Sequence, residues 1–314
     1  MPVFGSSWFA RWSARQRPPE AELPWRASQW PAGTVLHGLR IERRIGRGAT
    51  ATVYAASDEA GGPALALKVH DAQSNAELRA QVLAAAERAS RLDHPNIVRV
   101  HGGGEIGACT FMIMELLAGN TLEQYTQPPH PLPEALVLQL AADLASALAY
   151  AHRQGVVHRD VKPANVMFDP ATQRATLTDF GLARAADAEA SRSGVFMGSP
   201  LYMAPELLAG QPPDARSDLY ALGVLTYELL AGRPPFEATS MGALLRAVAQ
   251  LPPAPLATLR ADWTPATAAR LDQLLGPLLA KQPGQRPTDG DAWAAAAQQT
   301  SQWLMSAANA TNPR

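Results

Sequence analysis

The feature that most constrains the fold is a change of hydrophobic period part-way along the chain. Between Leu39 and Met114 apolar residues fall in short runs with strand-like alternation, whereas beyond Gly119 they recur at helical spacing over long segments. Residues 39–45 alternate as a strand, a glycine turn follows at 46–48, and 51–56 resume extended character. Residues 64–69, 97–100 and 110–114 read as further strands, with one alanine-rich helix over 76–92. After Gly119 the spacing predicts helices over 134–153, 217–230, 242–250, 266–280 and 289–305, the last opened by a capping box of Thr288 and Asp291. The expected class is therefore α+β, with a small antiparallel sheet and one main helix ahead of a mostly helical part. At 314 residues without a change of composition in the middle, two lobes sharing one cleft is the expected arrangement.

Charge excludes one class of partner. The 27 basic residues face 28 acidic ones, which leaves no electrostatic footprint for nucleic acid. The lone cysteine, Cys109, cannot form an intramolecular disulfide, and it reads as a small buried hydrophobe at the start of a strand. No apolar run approaches the ~20 uncharged residues needed to span a bilayer, and the first residues lack a signal-peptide pattern. A cytoplasmic location is expected. Residues 1–38 hold four of the seven tryptophans without sustained periodicity and read as a flexible extension, and 301–314 as a short tail.

The chemistry lies in three places. In the loop Ile45-Gly46-Arg47-Gly48-Ala49-Thr50-Ala51-Thr52-Val53, small residues between two strands let backbone N–H groups approach phosphates. Next, Lys68 sits in the middle of an apolar strand, where an unpaired charge is costly, so it calls for an anionic partner. The strongest stretch is His158-Arg159-Asp160-Val161-Lys162-Pro163-Ala164-Asn165, with Asp179-Phe180-Gly181 starting fourteen residues after Asn165. Phosphoryl transfer needs a carboxylate to orient and deprotonate the acceptor hydroxyl, and oxygen ligands for Mg²⁺. Asp160 suits the first task and Asn165 with Asp179 the second, while Lys162 can offset charge on the moving phosphoryl group.

In this combination the residues resemble the protein-kinase family, specifically the bacterial relatives of eukaryotic serine/threonine kinases. The resemblance covers about residues 39–300. It implies the two-lobed protein kinase fold, an N-lobe at 39–116 and a C-lobe at 117–300. It further implies ATP and Mg²⁺ as cofactors, protein substrates with Ser/Thr acceptors, and a transient homodimer for autophosphorylation in trans. Met114-Glu115-Leu116-Leu117 resembles the hinge that bonds adenine through Glu115 and Leu117. Ala204-Pro205-Glu206 resembles the end of the activation segment, and Asp218 with Gly223 resembles the central C-lobe helix. Arg286 of Gln285-Arg286-Pro287 is then the partner of Glu206. Lys162, two residues after Asp160, follows the serine/threonine pattern, as does Gly198-Ser199-Pro200-Leu201-Tyr202.

Two positions depart from the family. Ala51 replaces the third glycine of the loop. The helix glutamate that should reach Lys68 is ambiguous: ten residues back from Pro95 is Ala85, whereas nineteen forward from Lys68 is Glu87. Two helix positions lie ~200° apart, so both cannot face Lys68, and Glu87 is the expected one. Without that glutamate the alternative is a pseudokinase acting as an ATP-responsive binding module. A small-molecule kinase would have no use for Ala204-Pro205-Glu206.

Arg159 precedes the expected base and suits a phosphorylated loop. Between Leu182 and Ser199 the only hydroxyl residues are Ser191, Ser193 and Ser199. Mass spectrometry of the purified active chain is expected to find phosphate on Ser193, Ser191 or both. The Ser191→Ala/Ser193→Ala double variant should lose activity. An unmodified loop in a fully active preparation would exclude this control.

Overall fold

Strands β1 (Val35–Leu36), β2 (Leu39–Arg47), β3 (Ala51–Asp58), β4 (Leu65–His70), β5 (Val100–Ile106) and β6 (Cys109–Glu115) form one antiparallel sheet in the order β1-β2-β3-β4-β6-β5. This architecture comes from a computed structural model that describes residues 30–36, 38–48, 51–70, 76–106, 109–127, 132–180 and 200–311. Trp8, Trp12 and Trp25 of the extension, Ala49 and Thr50 of the glycine loop, Gly181, and Ser191, Ser193 and Ser199 lie outside the described residues. The chain divides into two compact units, up to Leu117 and from Ala118.

One face of the first unit's sheet buries Leu39, Ile41, Tyr54, Leu67, Val69, Phe111 and Ile113 in a single apolar cluster. Trp30 belongs to that cluster and stacks on Tyr54 with ring centroids 6.1 Å apart. The sheet therefore begins before Leu39, the boundary expected for the extension. An indole packed on a buried tyrosine holds this stretch to the body. Cys109 is buried at the start of β6, as its reading as a small hydrophobe required.

The opposite face takes the helix α1 (Ala76–Ser90), which packs on β5 and β6. Its buried side is made of Val82, Ala85, Ala86 and Ala89. A Cβ on Gly103 would lie 2.8 Å from the Cβ of Ala86 and 2.7 Å from the carbonyl oxygen of Phe111, so helix and strand touch where neither has bulk. This explains a miss at sequence level. The strand expected at 97–100 runs instead from Val100 through three glycines, whose low strand propensity hid it.

In the second unit α2 (Glu134–Arg153) is the central helix, packed against α4 (Ala215–Ala231) and α7 (Gly290–Thr311). By length and apolar composition α2 alone among the described helices could cross a bilayer, but most of it is buried within the unit, as a core helix is. The short helix α3 (Pro205–Leu208), α5 (Met241–Gln250) and α6 (Pro265–Leu275) complete the set. Asp214 caps α4 in a reciprocal capping box with Ser217, and Gly232 ends it at φ 73°. The helix expected over 266–280 stops at Leu275, because Leu278 and Leu279 turn back to pack on Gly223 of α4. The cap of α7 is Asp289, which accepts from the Asp291 N–H at 2.9 Å, and not the expected Thr288 box.

A small sheet, β7 (Asn120–Thr121), β8 (Val166–Asp169) and β9 (Arg174–Leu177), has no counterpart in the sequence-level expectations. Its strands are too short to show a period. Gly119, at φ +84°, leads into β7, and a side chain there would run into the Phe168 carbonyl of β8. Gly119→Ala combines left-handed strain with a backbone clash and is expected to cost at least ~2 kcal/mol. Urea unfolding would read this as a lower midpoint at unchanged slope, and a wild-type midpoint would contradict it.

Candidate active site

Asp218, near the start of α4, is 1% exposed and fully bonded. Its Oδ2 accepts from the backbone N–H of His158 at 2.8 Å and pairs with His152 Nε2 at 2.8 Å, while its Oδ1 accepts from the Arg159 N–H at 2.7 Å. The bonds hold Arg159 at φ 74°, a conformation a branched or long side chain rarely adopts. His158 is buried: its Nδ1 accepts from the Asp160 N–H at 3.2 Å and its Nε2 reaches the Thr178 carbonyl at 2.8 Å. The ring also meets Phe180 edge-on, with centroids 4.4 Å apart.

This scaffold delivers the three polar groups expected from the sequence to one place. Lys162 Nζ donates to Asp160 Oδ2 at 2.7 Å, and Asn165 Nδ2 donates to the same oxygen and to the Asp160 carbonyl, both at 2.8 Å. Among the described residues no bond falls on Asp160 Oδ1. One carboxylate oxygen is thus pinned by two donors and the other is left to accept a proton. Since Asn165 donates through its side-chain nitrogen, its side-chain Oδ1 is available to a hard cation. The Thr178 N–H bonds the Asn165 carbonyl at 2.9 Å, which ties the residue before Asp179 to Asn165. Asp179 takes φ 65°. Among the described residues no three His, Cys, Asp or Glu side chains cluster as a protein-only metal cage. Two oxygen donors fit Mg²⁺, which keeps waters and phosphate oxygens for its other positions.

Below this lies a buried ion pair. Glu206 on α3 receives two bonds of 2.7 Å from the Arg286 guanidinium, and Ser217 Oγ donates to it at 2.7 Å. Arg286 also donates to the carbonyls of Ala280, Lys281 and Arg216 and lies over Tyr220. Burial by itself would raise the Glu206 pKa, yet the bonds from Arg286 and Ser217 hold it below the ordinary carboxylate value. Tyr202, in the stretch expected to seat the acceptor peptide, bonds Glu228 on α4, whose own carboxyl is pushed up by burial.

In the first unit Lys68 lies on β4, paired across the sheet with Val53 of β3 and Met112 of β6. Of the glycine loop, Ile45, Gly46 and Arg47 end β2, and Ala51, Thr52 and Val53 begin β3; Gly48 N–H bonds the Ala51 carbonyl at 2.8 Å. Neither Gly46 nor Gly48 has positive φ, and among the described residues a Cβ on either would meet nothing closer than 3.6 Å. The fold does not demand these glycines, so their lack of side chains keeps room for a ligand. Glu115 is tied to Arg99 both ways: its N–H donates to the Arg99 carbonyl at 2.9 Å, and its Oε1 accepts from the Arg99 N–H at 2.8 Å. Leu117, the last residue of the unit, is half-buried.

One expectation is corrected. Glu87 does not turn toward the sheet: it is exposed and pairs with Arg91 at 2.6 Å, one turn along the same helix. The position facing the sheet is Ala85, 1% exposed. This is the position reached by the count back from Pro95.

His152 and Thr178 were not singled out from the sequence. Their partners lie 66 residues away in one case and twenty in the other, and no local pattern marks a histidine or threonine for such a task.

The protein kinase domain family matches residues 39–304. Serine/threonine-protein kinase PknJ of Mycobacterium tuberculosis is 38% identical over 277 residues, covering 86% of this chain and 46% of the relative. Serine/threonine-protein kinase pkn3 of Myxococcus xanthus is 36% identical over 275 residues, covering 83% and 50%. The crystal structure of Rad53 1-466 in complex with AMP-PNP superposes with a TM-score of 0.68 at 24% identity, over 85% of this chain and 66% of that one, a likeness of fold. The chain spans about half the length of these two bacterial relatives.

Removing Arg286 would strand a buried carboxylate. Arg286→Ala is expected to destabilise the chain by about 3–5 kcal/mol. The wild-type Glu206 pKa lies below its unfolded value, so its stabilisation is present at neutral pH and fades as pH falls through the folded value. In Arg286→Ala that acid-side loss should vanish, because the depression has gone. Thermal unfolding against pH measures both, and an unchanged acid limb would refute the assignment.

Proposed function

Because the chain belongs to the protein kinase family, with that family's two-lobed fold, we propose that it is a serine/threonine protein kinase moving the γ-phosphoryl group of ATP to Ser or Thr hydroxyls of proteins. The observation that carries this is Asp160, held through Oδ2 by Lys162 and Asn165, with no bond on Oδ1 among the described residues. Support also comes from relatives named as serine/threonine-protein kinases.

In this reading Asp160 Oδ1 takes the proton of the acceptor hydroxyl as its oxygen bonds the γ-phosphorus and the bond to the β-phosphate bridging oxygen breaks. Lys162, already bonded to Asp160, offsets charge on the transferred group. Lys68 and the loop 45–53 hold phosphates, Glu115 and Leu117 take the adenine, and Asn165 and Asp179 hold Mg²⁺ through oxygen. Bound there, the ion would neutralise phosphate charge. Ser191 and Ser193 are the proposed phosphorylation sites, reached in trans from a second copy.

The pseudokinase alternative is favoured by one observation: Ala85 occupies the helix position that faces the sheet, so α1 brings no acid at that position.

Labelled ATP with a generic protein acceptor separates the two. Asp160→Asn should keep ATP binding and stability while transfer falls by about three orders of magnitude. Lys68→Ala should cost a similar factor through misplaced phosphates. Wild-type transfer by Asp160→Asn would remove Asp160 from its role, and a wild-type chain that binds ATP without transfer would establish the alternative.

A further inference from the structure

Cross-strand pairing puts Val53, Lys68, Met112 and Gly103 in one row across β3, β4, β6 and β5. Paired residues present side chains to the same face, and Ala86 of α1 meets Gly103 on that face. Lys68 therefore projects from the helix-bearing side of the sheet. Because β5 is the sheet's edge, one flank of α1 overhangs the edge and the other turns inward over β6 toward β4. The contact of Ala86 with Gly103 of the edge strand tells them apart: ~100° around the helix to one side of Ala86 is Glu87, exposed, and ~100° to the other is Ala85, 1% exposed on the inward side.

Gln81 stands one turn before Ala85, ~40° from it around the helix and ~6 Å along the axis, hence on the inward flank. Its Oε1 is covered from solvent and accepts no hydrogen bond among the described residues. A covered amide oxygen without a donor costs roughly 1–3 kcal/mol, and such a group in a native fold asks for a reason. An acceptor kept in that state on the flank that would otherwise carry an acid is placed to serve an ammonium.

We propose that Gln81 is the positioning residue for Lys68, its Oε1 accepting from the Lys68 ammonium when nucleotide is bound and so aiming the amine at the phosphates. The proposal rests on the kinase reading above. A neutral amide in place of a carboxylate adds no negative charge of its own beside the lysine. The contact fixes direction more than it neutralises. The rival acceptor on this face is Thr110, directly opposite His70, whose buried hydroxyl oxygen also finds no partner among the described residues.

Steady-state kinetics beside thermal unfolding decide it. Gln81→Leu keeps the volume, removes the acceptor and relieves an unsatisfied oxygen. Its kcat should fall about tenfold or more while the unfolding midpoint stays or rises, with KM for ATP moving less than about threefold. Gln81→Met repeats the measurement with an unbranched side chain if Leu disturbs packing. Gln81→Glu, which keeps an acceptor, should hold kcat within about threefold and make the rate salt-dependent. Thr110→Val should leave kcat unchanged. Wild-type kcat in both apolar variants, or a kcat loss that tracks a loss of stability in all of them, overturns the proposal, and a large loss in Thr110→Val with none in Gln81→Leu assigns the contact to Thr110. A wild-type chain with no transfer overturns the kinase reading along with it, whereas full transfer in wild type and Gln81→Leu alike overturns this inference alone.

Discussion

Asp218 accepts two backbone N–H groups and pairs with His152 from a position almost sealed from water, and the rest of the second unit's site depends on it. A carboxylate buried there is tolerable only because each oxygen is bonded, and those bonds select a backbone path that would otherwise be strained at Arg159. From that path follow the buried ring of His158, its reach to Thr178, and the placement of Asp160, Lys162 and Asn165 around one carboxylate oxygen. The loop expected to do chemistry is placed by Asp218 and His152, to which no chemical step is assigned.

The Glu206 and Arg286 pair plays the equivalent part lower down. It joins the short helix after the expected activation segment to the loop before α7, and it is closed by Ser217 from the start of α4. Because Ser217 also completes the α4 cap with Asp214, the helix that carries Asp218 and the helix that carries Glu206 are set by one connected group of bonds. Burial makes such a group cooperative, since loss of any donor leaves a charge without water.

The first unit relies on packing instead. Alanines on α1 meet a strand of three glycines, and the apolar opposite face is closed by Trp30 on Tyr54. Close approach puts Ala85 against the sheet, while Glu87, the acid expected to face Lys68, is exposed and pairs with Arg91. Gly46 and Gly48 show the contrasting use of glycine, since among the described residues a Cβ on either would make no more than ordinary contact.

Residues proposed for a chemical task stood out as candidates in the sequence alone. Asp160, Lys162, Asn165 and Asp179 stand at short fixed spacings because one loop and one strand end carry them, and α2 was found to the residue because twenty positions of helical period leave little doubt. Lys68 was legible as a charge inside an apolar strand. The tertiary structure alone decided the rest. The register of α1 turned on which side of the helix the sheet covers, the strand through Gly102 to Gly104 is set by its pairing with β6, and β7 to β9 pair without a period of their own. His152 and Thr178 acquire their roles from partners tens of residues away. Local sequence reports a residue's chemistry and its period, but which neighbour buries it is set only when distant segments close on one another and every covered polar group must find a bond.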